Sequence, residues 1–179
     1  MRLKMLLLVF GCFIFTAFSQ ELVEDKTASS ITFKIKNFGF NVAGNFNEFI
    51  TYSNFNTTNV KESYFNVKIG VKSIFTDSKS RDQHLLDSDY FDVNNYPNIV
   101  FESNSIKKIS TSTYELEGFI TMKGIQKRIV TTLDVSTSKT SVTVLANFSL
   151  DRKDFGVGGN SFVLAKEVNI KMKYVGVKN

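Results

Sequence analysis

A chain of 179 residues with one Cys, one His, one Pro and no Trp cannot build a disulfide framework, nor a zinc, haem or iron–sulfur centre that draws on several Cys and His. Its 42% hydrophobic and 22% charged residues are ordinary for one globular domain. The formal charge of +5 falls to about +3 once Arg2 and Lys4 are set aside with the N-terminal segment described next.

The opening MRLKMLLLVFGCFIFTAFS has a basic start, an apolar stretch from Met5 to Phe15, and small residues Ala17 and Ser19 placed as at a cleavage site. It is expected to be a signal peptide over 1–19, cleaved before Gln20, with residues 20–179 forming a single domain. The expected destination is the periplasm, with secretion as the alternative. The only Cys, Cys12, lies inside this leader, so the mature chain would meet an oxidising compartment without a thiol.

Beyond the leader the hydrophobic period is two. Ile31, Phe33 and Ile35 alternate with Thr32, Lys34 and Lys36, which predicts a strand with one wet face. A weaker strand follows over 41–50. The clearest runs from Phe65 through Val67 and Ile69 to Val71, against Asn66, Lys68, Gly70 and Lys72. Residues 76–92 are expected to be helical, with Ser80-Arg81-Asp82-Gln83 as a capping box, Leu85 and Leu86 as an apolar edge, and Tyr96-Pro97 as the exit.

A fourth strand is expected over 98–109, and four more are read from Tyr114 to Met122, Ile129 to Val135, Val142 to Leu150 and Val168 to Tyr174. Polar segments such as 123–127 and 136–139 separate them closely enough for antiparallel neighbours. The expectation is all-β: an eight-stranded antiparallel lipocalin-like barrel with a short helical excursion between strands 3 and 4. Closure buries the apolar face and removes the exposed edges. An eight-stranded interior is either filled by side chains or holds one small ligand, and alternation alone leaves that choice open.

The stretch SIFTDSKSRDQHLLDSDYFDVNNYPNIVFES, residues 73–103, resembles the signature of the YceI-like family of exported bacterial proteins. FKIKNFGFNVAGNF from Phe33, YELEGFITMKGIQKRI from Tyr114, DRKDFG from Asp151 and EVNIKM from Glu167 keep the family order, so the resemblance covers nearly the whole mature chain. It implies a barrel whose elongated apolar interior holds the tail of a polyisoprenoid, quinone-like or fatty amphiphile, with no other cofactor. Transient membrane contact and a homodimer are compatible with that family. Asn37 stands where the family often has His, and Arg128 where Pro often follows the hairpin Lys; neither position lies on the apolar face.

The candidate tail-binding residues are Phe33, Ile35, Phe46, Phe65, Val67, Ile69, Phe101, Leu116, Ile120, Leu133, Val144, Phe148 and Ile170. Inward residues of this kind would equally fill a solid core. Arg81, Asp82 and His84 are either a headgroup site at the cavity mouth or a loop-anchoring cluster. Arg152 and Asp154 are expected to pair as a half-buried ion pair beside Phe155-Gly156, and the glycines of 156–159 to form a lid rather than a phosphate cradle. The scattered lysines suit a solvated face, not a nucleic-acid footprint. No catalytic or metal-ligating set is assigned. The alternatives to a lipid carrier are an envelope interaction module, marked by a large apolar patch outside the barrel, and a lipid-modifying enzyme using Asp82, His84 or Asp154.

Overall fold

The computed structural model describes residues 22–178, so the leader expected over 1–19 lies outside the described residues. Every run with a period of two becomes a strand. The strands are β1 (Leu22–Glu24), β2 (Ser30–Asn37), β3 (Phe40–Phe46), β4 (Phe49–Ser53), β5 (Phe65–Gly70) and β6 (Ile74–Phe75), followed by β7 (Asn98–Lys108), β8 (Thr113–Met122), β9 (Ile125–Thr137), β10 (Ser141–Asp151) and β11 (Leu164–Lys178). Burial alternates residue by residue along β8, where Tyr114, Leu116, Gly118 and Ile120 are buried and their neighbours are half-buried.

All pairings are antiparallel, in the order β4-β5-β7-β8-β9-β10-β11-β2-β3-β6. The two ends of this path meet because β3 and β4 are consecutive, separated only by Asn47 and Glu48, with β3 hydrogen-bonded to β2 and β4 to β5. Backbone bonds from Asn47 to Ser73 (3.1 Å) and from Gly70 to Glu48 (2.9 Å) secure the bend. The sheet therefore curls into a barrel of eight principal staves.

The strand count of eleven exceeds the expected eight for three local reasons. The strand read over 41–50 breaks where it changes neighbours, the short β1 adds an edge along β11, and the two-residue β6 pairs with the end of β3. The hairpin between β8 and β9 is tighter than the polar segment suggests. Lys123 and Gly124 both have positive φ, 50° and 73°, as a two-residue type I′ turn requires, and β9 starts at once with Ile125.

The helical excursion is shorter than expected. Only Lys79–Leu85 forms α1, its N-cap is Ser78 without a side-chain cap bond, and the remaining residues up to Pro97 are turns and irregular backbone. The capping box expected from Ser80 and Gln83 does not form, because the helix starts earlier and Ser80 lies inside it; the Asp82 carboxylate between them accepts from the backbone N–H and hydroxyl of Thr76.

Packing divides the interior into two ends. At one, Phe55, Phe65, Tyr114, Leu133, Val144 and Tyr174 form a close-packed plug. Phe55 comes from the irregular segment between β4 and β5 and stacks on Phe65 at 5.5 Å and edge-on against Tyr114 at 5.1 Å. The other end, covered by α1 and the segments 86–97 and 152–163, is not filled.

Candidate functional site

The unfilled end encloses a cavity of about 430 Å³, within the range of small-molecule sites. Its wall is built by inward residues of β2, β3, β5, β7, β8, β9, β10 and β11, and is almost entirely apolar. Two large side chains coat the wall instead of crossing the lumen, because each lies on a glycine of a neighbouring strand. Phe33 covers Gly44, and Phe101 covers Gly118, where an added Cβ would stand 2.5 Å from the Phe101 ring. Glycine here lets an aromatic ring settle against the sheet and leaves space at the centre.

Of the expected lining residues, Phe33, Ile35, Phe46, Phe65, Val67, Ile69, Phe101, Leu116, Ile120, Phe148 and Ile170 border this cavity. Leu133 and Val144 do not. Both are fully buried in the plug, on the correct face of their strands but at the filled end. Period two identifies the inward face and carries no information on the height at which a barrel changes from packed to hollow.

The mouth carries the polar groups. Arg81 and His84 lie one turn apart on α1 and both border the cavity, whereas Asp82, bonded to Thr76, does not; Asn37, expected off the apolar face, borders the cavity as well. Arg81 Nε donates to Thr76 Oγ1 at 2.7 Å and Nη2 to the Thr76 carbonyl at 2.5 Å. The His84 ring packs edge-on against Tyr90 at 4.8 Å. Anchoring and cavity-facing roles thus coexist: Asp82 with Arg81 fixes the approach to α1, and Arg81 with His84 forms part of the wall.

Arg152 corrects an expectation. It forms no ion pair with Asp154, which is exposed; it is only 4% exposed and donates to four backbone carbonyls. Nε reaches Ala165 at 2.9 Å, Nη1 reaches Val157 at 2.6 Å and Gly159 at 3.0 Å, and Nη2 reaches Leu164 at 3.0 Å. These bonds replace the hydration a buried cation loses, and they hold the glycine-rich segment over the barrel end. The segment is further tied by Gly158 N–H to the Asp89 carbonyl at 2.8 Å, and by Lys123 Nζ, which bonds the Ser88 and Gly156 carbonyls at 2.7 and 3.1 Å. The lid reading therefore needs amendment: these residues form a stapled rim.

Outside this rim stand exposed aromatic rings. Phe38, Phe40 and Phe162 are all exposed, and the Phe38 N–H bonds the Val163 carbonyl at 2.9 Å, so the β2–β3 turn and the 152–163 segment share one apolar edge. Phe38 and Val163 also border the cavity, which makes this edge continuous with it.

A profile of the YceI-like domain matches residues 23–175. The chain belongs to the YceI-like family. Among curated relatives, a UPF0312 protein of Yersinia enterocolitica is 26% identical over 183 aligned positions, covering 96% of this chain and 95% of that protein. A UPF0312 protein of Pseudomonas savastanoi is 30% identical over 117 positions, 64% of this chain, and the match spans 61% of the relative's length. Among solved structures, Burkholderia cenocepacia BcnA superposes with a TM-score of 0.82 at 23% identity, covering 86% of this chain and 99% of that one. A polyisoprenoid binding domain from Saccharophagus degradans, implicated in plant cell wall breakdown, superposes with a TM-score of 0.72 at 14% identity, covering 90% and 99%. At these identities the structural likeness shows the fold, and this YceI-like chain has the family's barrel.

Proposed function

We propose that the protein is an exported, non-enzymatic carrier that holds the tail of a polyisoprenoid or other long-chain amphiphile in the barrel cavity, in the periplasm. The observation that carries this reading is the apolar cavity of about 430 Å³, whose aromatic walls are drawn back onto Gly44 and Gly118. The likeness to a domain described as polyisoprenoid binding supports the same ligand class.

Burial of an apolar tail contributes about 0.8 kcal/mol per CH₂ relative to water, so two isoprene units amount to several kcal/mol gross. The competing state is a bilayer, where the tail is already dry. Transfer into the barrel is then nearly neutral in hydrophobic terms and is decided by shape, headgroup contacts and ordering. Such a protein exchanges lipid with membranes, and the aromatic edge of Phe38, Phe40 and Phe162 beside the mouth suits brief contact with a bilayer during exchange.

Co-elution tests the reading. Delipidated mature protein mixed with a dispersed polyprenol and passed through gel filtration should emerge with about one polyprenol per barrel; a protein peak free of polyprenol would overturn it.

A further inference from the structure

Among the described residues, the wall of the cavity carries three basic side chains, Arg81, His84 and Arg152, and no Asp or Glu. The three are grouped. His84 packs on Tyr90, and Tyr90 in turn lies against Gly158, where an added Cβ would be 2.9 Å from Tyr90 Cε1 and 3.1 Å from Arg152 Nη1. Arg81 is one helical turn from His84. No carboxylate lies within ion-pair distance of Arg81 or Arg152 among the described residues, although Asp82 is the immediate neighbour of one and Asp154 lies two residues from the other.

Donor capacity is left over at this spot. A guanidinium offers five N–H groups, and four of those on Arg152 are engaged by carbonyls. One Nη2 hydrogen and the positive charge itself remain without a partner. Arg81 uses Nε and one Nη2 hydrogen on Thr76, which leaves both Nη1 hydrogens and the second on Nη2. Arg152 is the buried charge of the three; Arg81 is half-buried, with the Asp82 carboxylate one hydroxyl away through Thr76, and His84 is exposed at the mouth. A buried cation without a counter-charge is costly, and Arg152 beside a cavity is poised for an anion.

We propose that this cluster is the headgroup subsite of the cavity and that it selects amphiphiles ending in an anion, a carboxylate or a phosphate. The proposal rests on the carrier reading above and adds a headgroup preference to it. With the tail in the apolar lumen, the anionic end meets Arg81 Nη1, the free Arg152 Nη2 hydrogen and a His84 N–H. The charge gained is one the apolar tail alone does not supply, so two ligands with the same tail should be told apart by their ends.

A headgroup series at constant tail tests this without altering the protein. Hexadecanoate, monohexadecyl phosphate, hexadecanol and hexadecylamine are each titrated against the neutral probe N-phenyl-1-naphthylamine bound to the wild-type barrel. The expected result is displacement by at least one of the two anions at roughly tenfold lower concentration than hexadecanol, with hexadecylamine weakest; which anion is tighter separates a carboxylate from a phosphate ligand. Arg81→Gln combined with His84→Gln should bring the anions level with hexadecanol, the ratio of anion to alcohol within the variant being the readout. Equal displacement by acid, phosphate and alcohol in the wild type would overturn the headgroup proposal and leave the carrier reading intact. Failure of the probe and all four ligands to bind would overturn both.

Discussion

Because the barrel is packed at one end and hollow at the other, truncation of two inward aliphatic residues should have opposite consequences. Leu133 is fully buried in the plug among Tyr114, Val144 and Phe65, and Leu133→Ala removes atoms from a site that cannot collapse. The expected cost is about 3–4 kcal/mol, the transfer and cavity terms acting together. Ile170 is half-buried and borders the cavity, so part of its surface already lacks packing partners, and Ile170→Ala should cost only about 1–2 kcal/mol. At about 2–4 °C per kcal/mol for a domain of this size, the melting temperature falls by roughly 10 °C for the first variant and roughly 4 °C for the second. Binding reverses the order. Leu133→Ala leaves ligand affinity unchanged, whereas Ile170→Ala removes contact with the tail and weakens it about fivefold, or about 1 kcal/mol. Circular dichroism melts and probe displacement on the same preparations check both halves. Equal melting losses, or weaker binding in Leu133→Ala alone, would refute the division into plug and cavity.

The chain contains no Trp, so Phe148→Trp places a single indole on the cavity wall, and its emission should shift to the blue as a polyprenol is added; an emission maximum that stays fixed at saturation would contradict a ligand at that wall. Tyr174 is buried and near Glu24, and burial first, then that carboxylate, pushes its phenol up to about 12. Stability from a neutral Tyr174 is therefore fully present below the ordinary tyrosine range near 10 and lost as pH rises through about 12. Tyr174→Phe should flatten the loss of melting temperature between about pH 10 and pH 12, and an unaltered alkaline profile would contradict the assignment. At the β8–β9 turn, Gly124→Ala meets a positive φ of 73° and the Tyr96 ring 2.7 Å from its new Cβ. A destabilisation of about 1–3 kcal/mol in urea unfolding is expected, and a neutral result would remove the reason given for glycine there.

The inward face of each stave was legible because alternation is a local property: Phe65, Val67 and Ile69 declare their side of β5 without reference to any other strand. The break at Asn47-Glu48 was not, since a strand that trades one neighbour for another keeps the same period on both sides. The hollow was equally hidden. It depends on Phe101 meeting Gly118 and Phe33 meeting Gly44 across strand pairs, contacts fixed by register instead of by either residue alone. Phe55 carried no strand pattern at all, and it plugs the far end from an irregular segment. Arg152 misled for a related reason: an acidic residue two positions away suggests an ion pair, but the four carbonyls that bind it come from 157–165, a clustering only the fold produces.

A hollow barrel in the YceI-like fold brings the drawn-back aromatics, the stapled rim and the basic mouth to one cavity. Its central claim is that the cavity carries a long-chain lipid, and the most direct test is native against denaturing mass spectrometry of the mature protein purified from an exporting bacterial host. One lipid per barrel, lost on denaturation and identified on extraction as a single-tailed long-chain amphiphile, is the predicted result. A protein mass without added ligand, under conditions that preserve lipid on a known carrier run in parallel, would contradict it.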